Sequence, residues 1–203
     1  MTDAKEPIIF WFDFSSPYSY LASERIDDLA AKYGRKVKWR PMMLGAAFKA
    51  SNMPLLITIP LKGEYSKRDF DRSARYLGIP YKFPPKFPIA TLAAARGYYW
   101  LHGQDCAKAR EFAHAVFRAY WVDGRDISEL SVVLEIVGQL GIDRDAFAAA
   151  IATPEIKDRL KQETDAAIAQ GMFGAPYIVV DGETFWGVDR LPQIDKWLAT
   201  GGF

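Results

Sequence analysis

Strand-forming sequence is confined to the two ends of this chain, and almost everything between them reads as helix. Ile8-Ile9-Phe10-Trp11-Phe12-Asp13-Phe14 is a short, nearly continuous run of β-branched and aromatic residues. That is the pattern of a strand buried on both faces, central and parallel. After Ser15-Ser16-Pro17, residues Tyr18, Leu21, Ala22, Ile26, Leu29, Ala30 and Tyr33 recur at steps of three and four, which predicts one helix from Tyr18 to Tyr33, stopped by Gly34. Val37-Lys38-Trp39-Arg40 alternates as a second strand ended by Pro41, completing a right-handed βαβ unit. Strand character returns only in Tyr177–Val180 and Thr184–Trp186, where Asp181-Gly182-Glu183 is a hairpin signal, and a helix over Leu191–Ala199 closes the chain. Neither a βαβ unit nor a lone hairpin buries enough apolar surface by itself. Two ends separated by roughly 120 residues must therefore share one sheet. The expected architecture is an α/β sheet domain of residues 1–45 and 171–203, carrying a helical insertion of residues 46–170.

Within that insertion, helical patterns cover Asp69–Leu77, Thr91–Leu101, Cys106–Trp121, Ser128–Leu140, Arg144–Ala152 and Pro154–Gln170, with Ser128 and Pro154 as start signals. The stretch from Ile79 to Pro88 holds four prolines among aromatic residues and reads as a stiff loop. At 203 residues the chain is the size of one domain, or of one domain with a large insertion. The net charge of +1 gives no global field for nucleic acid or an anionic membrane, and no apolar run approaches a bilayer span. Aromatic residues make up 14%, a surplus that either fills a core or lines an apolar ligand cavity. The single Cys106, read as a buried helix residue, excludes an internal disulfide, a catalytic dithiol and a cysteine-based zinc site. His102 and His114 read as helix side chains, not metal ligands. The opening MTDAKEPIIF lacks the pattern of a secretory leader, so the expected compartment is cytoplasmic.

Three segments carry candidate chemistry. Ser16-Pro17-Tyr18-Ser19 stands where the first strand feeds the first helix, with Ser16 in the cap position and Pro17 at the first helical position. Free backbone N–H groups there stabilise an anion and lower the pKa of a thiol, including one on a bound cofactor. Taken alone, Ser16 reads as a simple helix cap. Gly174-Ala175-Pro176 precedes a strand; it carries either a cis peptide that turns the Ala175 backbone toward a ligand or an ordinary trans strand entry. Trp186-Gly187-Val188-Asp189-Arg190 precedes the last helix. Asp189 can accept from an ammonium and Arg190 can bind a carboxylate, or the two form a cap and a surface ion pair.

Taken together, a strand, an X-Pro-X-X tetrad opening a helix, and a distant Gly-X-Pro before a hairpin resemble the thioredoxin fold, with Ser-Pro-Tyr-Ser where redox members carry Cys-X-X-Cys. The helical insertion resembles the DsbA-like branch. Phe12-Asp13-Phe14-Ser15-Ser16-Pro17-Tyr18-Ser19-Tyr20-Leu21, Phe173-Gly174-Ala175-Pro176 and Trp186-Gly187-Val188-Asp189-Arg190-Leu191 are similar to 2-hydroxychromene-2-carboxylate isomerases, relatives of the kappa-class glutathione transferases. The resemblance covers essentially the whole chain.

It implies a glutathione cofactor. Ser16 would contact the sulfur, with Ser19 in the second cysteine's place. Ala175 and Pro176 would pair with the cysteinyl part, and Asp189 and Arg190 would hold the γ-glutamyl end beside Trp186, Gly187 and Val188. The small aromatic carboxylate substrate would meet Phe48, Lys49, Asn52, Tyr65 and Phe87. Ile89-Ala90-Thr91 departs from the polar residue expected after the Phe-Pro of that loop. The implied reaction is thiolate addition, bond rotation and elimination, in a chain expected to pair as a homodimer. The alternatives are a kappa-type transferase or peroxidase that keeps glutathione in its product, and a thioredoxin-like binding module without chemistry. A disulfide oxidoreductase is disfavoured, because both thiol positions are serine.

Overall fold

The computed structural model describes residues 6–203. The first five residues of the MTDAKEPIIF segment, and with them part of the leader reading, lie outside the described residues. The elements run β1 (Ile8–Phe12), α1 (Pro17–Ser23), α2 (Ile26–Ala31), β2 (Val37–Pro41), α3 (Leu44–Ala50), α4 (Lys62–Leu77), α5 (Leu92–His102), α6 (Cys106–Trp121), α7 (Leu130–Gln139), α8 (Arg144–Ala152), α9 (Pro154–Ala169), β3 (Tyr177–Val180), β4 (Glu183–Trp186) and α10 (Leu191–Thr200). Short 3-10 turns cover Leu56–Thr58 and Val188–Arg190.

One four-stranded sheet, in the order β2-β1-β3-β4, joins the two ends of the chain. β1 pairs parallel with β2, Phe10 beside Trp39, and antiparallel with β3, Phe10 beside Ile178. The β3–β4 hairpin turns on Asp181 and Gly182, both at positive φ (53° and 85°), the pair of values that a two-residue hairpin turn of matching twist demands. Pro41, which has no N–H to donate, ends β2 at the sheet's edge.

The aromatic surplus fills a core continuous from sheet to insertion. Phe10, Phe12 and Phe14 are fully buried and meet Trp39, Tyr98 and Phe117, with ring centroids from 4.8 to 6.1 Å apart. The buried Trp121 donates from Nε1 to the Phe14 carbonyl at 2.9 Å. α9 returns to the sheet, where Arg40 of β2 pairs with the buried Glu163 at 2.6 Å. The boundary expected after residue 45 falls inside α3.

Several local readings change. The helix expected over Tyr18–Tyr33 is two short helices. Ser23 Oγ donates to the Tyr20 carbonyl at 2.7 Å, competing with the helical ladder, and Arg25 leaves helical geometry at φ −134°. α7 begins at Leu130, not Ser128, because the Ser128 N–H and hydroxyl are both spent on Asp126 Oδ1. α4 begins seven residues before Asp69. Its first turn accepts the 3-10 turn only because residue 63 is glycine: a Cβ there would lie 2.3 Å from the Ile57 carbonyl oxygen. Cys106 is exposed, not buried, since it opens α6 within a stretch, residues 102–107, that is solvent-facing throughout.

Candidate active site

Where β1 runs out, Asp13 turns inward. Its carboxylate accepts from Ser15 N–H at 2.8 Å, Leu44 N–H at 2.9 Å and Thr91 Oγ1 at 3.1 Å. One acid thereby ties the β1–α1 loop to the starts of α3 and α5. Burial pushes its pKa up, and the hydrogen bonds from Leu44, Ser15 and Thr91 oppose that shift. Ser15 Oγ accepts from Ile89 N–H at 3.1 Å, which fixes the proline-rich loop, cis at Phe87-Pro88, against the same turn.

Ser16 caps α1 from extended geometry (φ −97°, ψ 116°), its Oγ accepting from Ser19 N–H at 3.1 Å. The same hydroxyl donates to the Ala175 carbonyl at 3.0 Å. With α1 only seven residues long, the electrostatic pull at Ser16 comes from the free N–H groups of its first turn. Ser19 Oγ is buried with no partner among the described residues.

The Ala175-Pro176 peptide is cis. The Pro176 carbonyl accepts from Gly187 N–H at 3.0 Å, which ties the second candidate segment to the third. Gly187 takes φ +107°, and a Cβ there would stand 2.4 Å from Asp189 Oδ1, so the turn requires glycine. Asp189 and Arg190 follow in an exposed 3-10 turn, 3.5 Å apart.

These segments form one wall of a cavity of about 610 Å³. Of the residues expected in a site, Ser16, Ala175, Trp186, Gly187, Val188, Asp189, Arg190, Phe48, Tyr65 and Phe87 line it. Pro176 is buried and does not line it. Lys49 and Asn52 do not reach the lining: both are exposed at the end of α3 and the turn after it, where Asn52 adopts φ +52°. The helical spacing that turns Phe48 inward turns Lys49 outward.

The opposite wall is apolar, built by Leu44, Met53, Pro54, Leu55, Leu56, Ile57 and Ile59 with Phe70 and Ile89. Three polar groups of the lining were given no role in the sequence reading. Lys62 reaches the lining with no ion pair among the described residues. Tyr18 donates its hydroxyl to Asp69, and burial followed by that bond pushes the phenol's pKa well above its ordinary value. Asp69 also receives Arg72. Asp13 and Tyr18 were visible as an acid inside an apolar run and as a member of the tetrad; nothing in the charged stretch around Lys62 and Asp69 marked its register.

A family model for the DsbA-like thioredoxin domain matches residues 7–199. The chain is 34% identical over 196 residues to a 2-hydroxychromene-2-carboxylate isomerase of Sphingobium xenophagum, covering 94% of this chain and 97% of that one. The chain belongs to the DsbA-like 2-hydroxychromene-2-carboxylate isomerase family. A solved structure of 2-hydroxychromene-2-carboxylate isomerase superposes on this family member with a TM-score of 0.86 at 30% identity, over 96% of this chain and 95% of that chain. A kappa 2 glutathione transferase of Caenorhabditis elegans is 28% identical over 208 residues, covering 96% of this chain and 92% of its own. Family membership accords with the fold and with serine at both positions of the tetrad that redox relatives fill with cysteine. Among the described residues no helix is long and apolar enough to cross a membrane.

Proposed function

We propose that this chain is a glutathione-dependent isomerase of 2-hydroxychromene-2-carboxylate or a related intermediate of aromatic degradation. The observation that carries the reading is the convergence, across 159 residues of sequence, of the Ser16 hydroxyl on the Ala175 backbone, in a cavity that also holds Asp189 and Arg190. The residues suit the cofactor. Glutathione bears one ammonium and two carboxylates, and the lining offers Asp189 for the first and Arg190 and Lys62 for the others. Its cysteinyl backbone has Ala175 to pair with.

Held by Ala175, Asp189, Arg190 and Lys62, glutathione would supply a thiolate able to act as a reversible nucleophile toward an electrophilic carbon, the chemistry that allows rotation about a double bond. The chain's own part is binding and charge. The Ser16 hydroxyl and the first-turn N–H groups of α1 stabilise negative charge at the sulfur position. Ser16 is not itself the nucleophile. Phe48, Phe70 and Phe87 offer ring faces and edges to an aromatic substrate and, with the apolar segment 53–59, exclude water from it. The product of ring opening and rotation is a trans-benzylidenepyruvate.

The test is to incubate the protein with the hydroxychromene carboxylate, with and without glutathione, and to titrate free thiol afterwards. The expected result is trans product only when glutathione is present, with no thiol consumed. Loss of thiol in step with product would favour the kappa-type transferase reading, which the similarity to the nematode kappa protein keeps open. Trans product made without glutathione would sink both, and no product with or without it would favour a binding module.

A further inference from the structure

Tyr18 and Asp69 make a hydrogen-bonded pair on the cavity wall that thiolate addition and elimination leave unused. Tyr18 lines the same cavity as Ser16 and packs edge-on against Phe70 at 5.0 Å on its aromatic side. Its hydroxyl proton is committed to Asp69 Oδ2, which leaves the phenol oxygen's lone pairs free to accept from a ligand. Arg72 pairs with the other oxygen, Asp69 Oδ1, which fixes the carboxylate's orientation toward Tyr18. Arg72 also donates to the Tyr65 hydroxyl at 2.9 Å, which holds the group at the cavity rim.

Resting on the proposed function, we infer that Tyr18 and Asp69 are the proton-transfer pair for opening the substrate's ring. A 2-hydroxychromene is a cyclic hemiketal, and it cannot isomerise about its double bond until the ring opens. Opening requires one proton to leave the hemiketal hydroxyl and one to reach the phenolic oxygen. The hemiketal O–H donates to the Tyr18 oxygen while Tyr18's own proton passes to Asp69. The O–H electron pair becomes the new C=O π bond. The ring C–O bond breaks, and its electrons go to the phenolic oxygen. That oxygen then takes the proton back from Asp69 through Tyr18. The net change is one proton moved between two substrate oxygens, and both side chains end as they began. A positioned acid–base group of this kind contributes about 10²–10⁴ in rate.

The experiment separates this step from glutathione chemistry. With no glutathione added, NMR exchange spectroscopy measures the rate at which the closed hydroxychromene and its open cis keto acid interconvert in the presence of the protein. Wild-type protein should accelerate the exchange. Tyr18→Phe, which keeps the ring packed on Phe70, and Asp69→Asn, which keeps an acceptor for Tyr18, should each lower the acceleration at least about 30-fold. Circular dichroism confirms that each variant is folded, and either variant alone suffices if the other is not. Equal acceleration by folded variants and wild type, or none by wild type, overturns the inference. Wild type that accelerates exchange yet makes trans product without glutathione overturns the proposed function and leaves the proton pair standing.

Discussion

The Ser16 hydroxyl donates to the Ala175 carbonyl at 3.0 Å while accepting from the Ser19 N–H at 3.1 Å. One small side chain thus both caps α1 and latches the strand-entry loop onto it. In the proposed reaction the hydroxyl turns its proton from Ala175 toward sulfur, a change of rotor and not of backbone. Ser16→Ala removes the cap and the donor together. The cap is worth about 1 kcal/mol of stability, whereas loss of a donor to developing or resident negative charge costs about 10²–10³ in kcat. The expected outcome is a modest drop in unfolding midpoint beside a collapse of glutathione-dependent turnover. Unchanged turnover in a folded variant rejects the assignment.

Two lysines near the insertion's start have opposite expected effects. Lys62 reaches the cavity lining without an ion pair among the described residues, and Lys49 lies outside the lining on the solvent side of α3. Lys62→Ala should raise KM for glutathione or for the aromatic carboxylate roughly tenfold, the scale of one charge-assisted contact. Lys49→Ala should change neither. Steady-state kinetics with each reactant varied in turn decides it, and equal effects of the two substitutions would mean that the lining does not choose the ligand's carboxylate partner.

Residues whose local chemistry has a single solution were legible in the sequence. The apolar run at Ile8–Phe12 fits only a buried strand, Asp181-Gly182 fits only a tight hairpin, and Ser16-Pro17 fits a helix start. Those three features fix the sheet and one wall of the cavity. The other wall was not legible. Its apolar segment 53–59 lacks a period, because it is held by the close approach of Ile57 to Gly63 and not by a repeat. Lys49 and Asn52 were expected at the substrate from the family resemblance, and a turn of α3 decides that Phe48 faces the cavity and Lys49 does not. The break at Glu24 was hidden for a related reason: the apolar repeat from Tyr18 to Tyr33 continues in phase across it, while a serine side chain interrupts the backbone ladder.

That break places Glu24 where it accepts from His114 Nδ1 at 3.3 Å and from Arg118 at 2.8 Å. The His114 hydrogen bond, with Arg118 adding to it against the cost of burial, holds the carboxyl down at about 2, below its usual 4.5. A depressed acid binds its proton more weakly in the folded state. Its contribution to stability is therefore whole above about pH 4.5 and is lost as pH falls toward 2. Urea unfolding at stepped pH should show stability declining through that window. Glu24→Gln should lower stability at neutral pH and flatten the decline. A decline of the same slope in the variant would assign it to other carboxylates.

Gly174 controls the remaining contact between the candidate segments. A Cβ at this position would stand 2.4 Å from Trp186 Nε1 and 3.0 Å from its Cε2. Trp186 is half exposed and packs on Phe173 at 4.9 Å, so the indole has room to swing outward. Gly174→Ala should therefore cost little stability, because a side chain and not the backbone yields. Moving the indole also disturbs Gly187, whose N–H donates to the Pro176 carbonyl at 3.0 Å and whose turn presents Asp189 and Arg190. The expected signature is a nearly unchanged unfolding midpoint with KM for glutathione raised several-fold and kcat largely kept. That pattern arises only if the 186–190 turn binds the cofactor in the ground state. A fall in kcat at constant KM would instead mean that the turn acts on the reacting atoms, and the γ-glutamyl assignment of Asp189 and Arg190 would have to be given up.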